Sequence, residues 1–295
     1  MSYETIAQNL VFGLFVGSLY GIAAVGLALI FGVLKILNVA HGELMMLGGY
    51  ITFWLFALLG VDPFLSLLIS GSALFLFGLA LERGVFRYLA RLSGETRIKN
   101  SLLVSFGLTL ILQNVVIQLF SADERGVQMS YSGAGLRALG VVLPYTRLLI
   151  MAIALIAILG LHLFLQRTYT GKAIRATAED WEAAALAGID IQRIYRLTFG
   201  IGAGLAGVAG SLVSVSYGVS PSIGLIWTLK ALVVVVLAGT GSILGAFPVG
   251  LLLGAAEALS GTFIGPAYRE LVGLVIFLLV LLLRPQGLFG QASTT

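Results

Sequence analysis

Cysteine is absent from this 295-residue chain, so a disulfide framework, a cysteine-ligated zinc site and thiol chemistry are all excluded. Two histidines without a cysteine leave poor material for a metal centre or a nucleophile triad. The sequence holds no GxxxxGK[ST] loop, no HExxH, no EF-hand pattern and no GxSxG elbow. It therefore predicts no catalytic residue, no metal ligand and no cofactor bound by this chain, which is not read as an enzyme. Charge is scarce too: Asp, Glu, Lys and Arg make up 10% of the residues, against about 25% in a soluble domain. The net charge of +4 sits in the loops and reads as membrane topology rather than nucleic-acid binding. The opening MSYET has no basic region, so the first apolar run reads as a first span rather than a cleaved leader.

What the chain has instead is hydrocarbon. Hydrophobic residues make up 59% of it and the mean hydropathy is +1.06, which puts it in the membrane class. A spanning helix needs about 20 apolar residues. Uncharged runs meet or approach that length at Thr5–Leu34, Leu44–Val61, Pro63–Leu81, Asn100–Ala122, Leu148–Gln166, Leu197–Leu229, Ala231–Ala256 and Leu271–Leu283. The expected fold is all-α: a polytopic membrane helix bundle of eight to ten spans in a single domain, residues 1–295. The longer runs are expected to hold one helix plus a re-entrant piece. These runs are too continuously apolar for the alternating strands of a β-barrel.

Basic loops mark the cytoplasmic side. Arg83, Arg87, Arg91, Arg97 and Lys99 crowd one loop; Arg167, Lys172, Arg175, Arg193 and Arg196 crowd another; Arg284 follows the last run. Ser121–Arg147 is mixed in charge and reads as external, as does the uncharged Tyr217–Gly224. The N-terminus, with Glu4 and no basic residue, reads as external, which requires an odd number of passes if the C-terminus is inside.

Four features interrupt or pattern the hydrocarbon. Glycines recur at four-residue spacing: Gly13, Gly17 and Gly21; Gly200 and Gly204; Gly250 and Gly254; Gly261 and Gly265. Small residues let helix backbones approach in lipid, either as static packing or as surfaces that slide during a cycle. Three stretches look like broken helices: Leu37–Gly49, Tyr217–Ile226 and Ala238–Pro248. Irregular backbone at membrane depth must be satisfied by protein or a water-filled cavity, and transporters build sites from it. Asn38, His41 and Glu43 in the first break, and Gly239, Gly241, Ser242 and Gly245 in the last, are the pathway or broken-helix candidates. Glu257 is an ionisable residue at span depth. It is either a structural carboxylate locking two helices or a pathway group, with Lys230 as a possible partner. Finally, Gly171–Gly188 concentrates charge where charge is rare. It reads as a short Ala-rich helix flanked by those two glycines, with Lys172, Arg175, Glu179, Asp180 and Glu182 outward, in a cytoplasmic segment at about 167–196. Such a helix suits a groove on a soluble partner.

These stretches carry a resemblance. LNVAHGELMMLGGY (Leu37–Tyr50) resembles the N-(F/V)-A-H-G-E signature of permeases in branched-chain amino-acid ABC importers. Gly171–Ile194 is similar to that family's cytoplasmic coupling segment and Phe199–Leu212 to the Gly/Ala-rich helix after it. Leu237–Leu259 resembles the family's GSxxGA block, and Arg284–Gly290 its C-terminal ending. The blocks fall in order over nearly the whole chain. Ala238 stands where glycine is usual, and Pro248 lies just after the GSxxGA block.

The resemblance implies a multi-pass subunit of the bacterial plasma (inner) membrane, surrounded by lipid. Its implied partners are a second permease subunit, homologous or identical, two cytoplasmic ATPases that carry ATP and Mg, and an extracytoplasmic substrate-binding protein. Gly171, Lys172, Arg175, Glu179, Asp180, Glu182 and Gly188 are then the ATPase-coupling residues. The substrate expected is a branched-chain or related amino acid. A urea or short-amide importer is an alternative within the same architecture. An ATP-independent secondary transporter or channel is an alternative of another class.

Overall fold

The computed structural model describes residues 3–90, 92, 94–127, 129, 134–138, 140–239 and 241–290, without the side chains of Arg137 and Ala138; Arg91, one of the loop cations, lies outside the described residues. In chain order the elements are α1 (Tyr3–Leu34), α2 (His41–Leu59), α3 (Pro63–Leu81), a five-residue π turn (Glu82–Phe86), α4 (Arg87–Leu89) and α5 (Gly94–Phe120). A hairpin of β1 (Gly135–Ala138) and β2 (Val141–Pro144) follows, then α6 (Tyr145–Arg167), α7 (Tyr169–Glu179) and α8 (Trp181–Leu186). The chain closes with α9 (Ile191–Tyr217), α10 (Ile223–Ala238), α11 (Ala246–Phe263) and α12 (Arg269–Leu283).

Among the described residues eight helices are long and apolar enough to span a membrane, and α10 is a shorter apolar helix. The first and last described helical segments begin and end at opposite ends of the bundle. Gln8 exchanges two hydrogen bonds with the β2 residue Val142, at 2.9 and 2.7 Å, so α1 starts at the hairpin end. At the other end of α1, Arg97 donates to the Leu34 carbonyl at 3.2 Å. The C-terminal residues return to that end, where the Leu288 and Phe289 N–H groups donate to the Leu237 and Ala238 carbonyls at 2.8 and 2.9 Å.

Local chemistry sets the helix ends. Asp62 accepts from the Phe64 N–H at 2.8 Å, ahead of Pro63 in the first turn of α3. Gly60, at φ +64°, stops α2 in the left-handed region that suits glycine. The run Thr5–Leu34, expected to include a re-entrant piece, lies within the unbroken 32-residue helix Tyr3–Leu34. Nothing inside it breaks the backbone ladder, and its glycines pack rather than turn.

The expected glycine rows are seams between helices. Gly13 and Gly17 of α1 lie against Gly254 and Gly250 of α11, and Gly21 lies under Phe247. Gly200 and Gly204 of α9 face Phe75 and Leu79, and Gly71, of α3. Ser70 and Ser211 bond across that seam, their hydroxyls 2.6 Å apart. Gly261 and Gly265 are not a packing pair: Gly261 makes room for the Arg269 side chain, and Gly265, at φ +132°, forms the turn into α12. The core is centred on α1, which is buried from Gly17 to Ile30, while α5 and α12 lie at the periphery.

Candidate functional site

The first break is narrower than Leu37–Gly49: the chain leaves helical geometry only between Leu34 and His41. There it turns back into the bundle. His41 Nε2 lies 3.0 Å from the Ala23 carbonyl, and a carbonyl only accepts, so Nε2 carries the proton. Ala23 precedes the end of α1 by eleven residues, or about 16 Å of helix axis. Residues 35–40 therefore climb beside α1 as irregular chain and start α2 at mid-bundle.

Side-chain hydroxyls satisfy that irregular backbone. The Leu37 N–H donates to Ser101 Oγ at 3.1 Å, and the Val39 N–H to Ser105 Oγ at 3.0 Å, both on α5. From α10, Thr228 Oγ1 donates to the Val39 carbonyl at 2.9 Å and accepts from the Gly42 N–H at 2.8 Å. Asn38 Oδ1 accepts from the Ala40 N–H at 3.2 Å, shaping the entry to α2. This network is what irregular backbone at membrane depth needs. Ser101, Ser105 and Thr228 were missed in the sequence. Their signal was Ser101, Ser105 and Thr109 at four-residue spacing on one face of an apolar helix.

Asn38, His41 and Glu43 share this break, each at most 1% exposed. The Glu43 carboxylate lies against Gly224 in the first turn of α10, and no Cβ would fit between them. Asn38 Nδ2, His41 Nδ1 and Glu43 Oε2 have no hydrogen-bond partner among the described residues. The second break, residues 218–222, lets α10 start inside the bundle antiparallel to α2.

Glu257 is brought to the same unit through α10. Its Oε1 lies 2.7 Å from Lys230 Nζ, two residues beyond Thr228, and its Oε2 accepts from the Tyr20 hydroxyl at 3.0 Å. Gly239, Gly241, Ser242 and Gly245 are elsewhere. Their turn packs under the C-terminal residues Gln286 to Gly290 and lies against α1 at Gly32, about 9 Å along the axis from the Gly26–His41 contact. Pro248 sits in the first turn of α11, where a proline costs no hydrogen bond. Gln113 lies beside Asn114 toward the hairpin end of α5; Asn114 is exposed and donates back to the Leu110 carbonyl at 2.8 Å.

The charged segment is two helices, not one. Thr168 caps α7 by accepting from the Gly171 N–H at 3.0 Å. Asp180 is the junction: it ends α7 and caps α8, its Oδ1 accepting from the Glu182 and Ala183 N–H groups at 2.9 and 3.0 Å. Gly171 is no flank. It lies in the first turn of α7, pressed on the Phe164 carbonyl and Leu165 of α6. Gly188, at φ +84°, does follow α8. Lys172, Arg175, Glu179, Asp180 and Glu182 are exposed. The alanines divide: Ala173 and Ala184 are buried, whereas Ala176, Ala183 and Ala185 face outward. Trp181 and Leu186 are also exposed on α8, Leu186 at 91%.

A family model described as the branched-chain amino acid transport system permease component matches residues 9–283. The chain belongs to that family. It is 38% identical to the high-affinity branched-chain amino acid transport system permease protein BraD of Pseudomonas aeruginosa, over 96% of this chain and 95% of that one. It is 32% identical to the corresponding protein LivH of Escherichia coli over the same shares. It is 26% identical to the probable branched-chain amino acid transport permease protein LivH of Methanocaldococcus jannaschii, over 90% of this chain and 87% of that one. In this permease-family chain the His41-Gly42-Glu43 motif is the first turn of α2, and the charged segment is a helix pair with one buried and one exposed side.

Proposed function

We propose that this chain is one of two permease subunits of an ATP-driven importer of branched-chain amino acids in the bacterial plasma (inner) membrane. Full-length similarity to the permease proteins BraD and LivH carries this reading. The second permease is a homologous or identical subunit. Two cytoplasmic ATPases carry ATP and Mg, and an extracytoplasmic binding protein delivers the substrate.

The geometry supports the division of labour. The α7–α8 pair packs on α6, α1 and α9 with its buried side and turns Lys172, Arg175, Glu179, Glu182, Trp181 and Leu186 away from the bundle. Charge around an apolar pair fits a groove on a soluble subunit. Inside, α2 and the shorter α10 meet at Thr228, held by hydroxyl hydrogen bonds that a modest shift can exchange. Helix ends and unwound backbone of this kind form transporter pathways.

Affinity purification of the tagged chain from native membranes tests the reading. The expected eluate holds two ATPase subunits and a second permease, and its binding protein binds leucine, isoleucine or valine rather than urea or acetamide. An eluate with no ATPase refutes the class, and a urea- or amide-selective binding protein refutes the substrate.

A further inference from the structure

α3 does not end as a plain α-helix. The π turn Glu82–Phe86 adds a residue and closes with the Arg87 N–H donating to the Glu82 carbonyl. Single π turns inside helices are rare and often sit at functional positions. This one aims two side chains at α9. Phe86, fully buried, packs on Phe199 with ring centroids 4.7 Å apart and planes at 33°. Glu82, 1% exposed, points its Oε2 toward Arg196 Nε at 3.8 Å.

Arg196 and Phe199 lie in the first turns of α9, after the Asp190 cap that joins it to α8. These two contacts join the base of α9 to the end of α3. Farther along, α3 and α9 are fastened by the Ser70–Ser211 bond and by Gly78 against Ala203.

The ion pair is open. A closed guanidinium–carboxylate hydrogen bond is about 2.7–2.9 Å long. Glu82 Oε1, Arg87 Nε and Arg196 Nε all lack hydrogen-bond partners among the described residues. A carboxylate shut away from water with an unmade bond is costly where it stands. A small shift of the α9 base toward the π turn would close it.

We propose that Glu82 is a positioning residue for transport: the π turn holds it ready to close on Arg196 when α8 moves, so that α3 follows α9. The proposal rests on reading α7 and α8 as the ATPase-docking pair. The test uses the whole importer in proteoliposomes, with uptake and ATP hydrolysis measured together. Glu82→Gln is expected to keep ATPase association and hydrolysis while uptake per ATP falls about fivefold or more. Arg196→Gln, at a half-exposed position, is expected to do the same, and the double variant to be no worse than either single. If Glu82→Gln does not assemble, Arg196→Gln alone decides the matter. A ratio within about twofold of the unsubstituted complex, or losses that multiply in the double variant, overturns the proposal alone. Hydrolysis that never tracks uptake in the unsubstituted complex overturns the reading of α7 and α8, and the proposal with it.

Discussion

Lys230 and Glu257 form an ion pair at 2.7 Å between α10 and α11, and Tyr20 of α1 donates to the second carboxylate oxygen at 3.0 Å. Both charged side chains are mostly buried, so each depends on the other. Removing one partner from a buried pair costs about 3–5 kcal/mol, whereas replacing both with apolar groups costs far less. Glu257→Ala is therefore expected to lower the unfolding temperature in detergent well below that of Lys230→Met/Glu257→Leu. Equal losses would show that the pair does not hold α10 in place.

The α1–α11 seam has no room for side chains. A Cβ on Gly250 would stand 2.6 Å from the Gly21 nitrogen, against nothing within 4 Å for one on Gly107. Gly250→Leu is expected to abolish the monodisperse peak on size exclusion. Gly107→Ala should leave it intact and gain about 0.5–1 kcal/mol of stability, because alanine suits a helix interior better than glycine.

Thr228 bridges the break. Thr228→Val keeps the shape but strands the Gly42 N–H and the Val39 carbonyl. Each unpaired buried group costs about 1–3 kcal/mol. Uptake by the assembled importer should fall sharply, and Thr228→Ser should restore most of it. Full uptake with Thr228→Val would remove the break from the transport cycle. Asn38→Ala and His41→Ala are expected to act in the same direction, and full transport and stability in both would dismiss their role.

At the α7–α8 junction, charge and capping can be separated. Asp180→Asn keeps an oxygen for the Glu182 and Ala183 N–H groups and removes only the charge. Glu179→Lys/Asp180→Lys removes the cap and reverses the charge. The double lysine variant is expected to lose most of the co-purifying ATPase, and Asp180→Asn only part of it. Trp181→Ala and Leu186→Ala should each lose more than Lys172→Ala, because exposed apolar anchors contribute most to such contacts. Unchanged ATPase recovery in all of them would mean that the pair docks nothing.

Much of this molecule is legible in its sequence, because membrane depth and hydrophobic length are linear properties. The spans, the charged exposed segment and the glycine rows of α1 and α11 all follow from runs and spacings. The Glu257–Lys230 pair was nameable because two isolated charges in hydrocarbon need each other. What escaped depends on where the chain folds back. Ser101 and Thr228 look like ordinary small polar residues until residues 35–40 lie between them. Asp180 looks like one more charge in a helix, yet its carboxylate accepts hydrogen bonds from the next turn and splits the helix in two. The π turn left no sequence mark, since Glu82–Phe86 has no proline to announce it.

Uptake of radiolabelled leucine into proteoliposomes bears most directly on the central claim, that this chain is a pathway driven through α7 and α8 by separate ATPases. The purified complex, supplied with its binding protein, is expected to accumulate leucine only when ATP and Mg reach the ATPases, and to stop accumulating in the Glu179→Lys/Asp180→Lys variant. Leucine uptake by this chain alone, without ATPase subunits or ATP, would contradict the account.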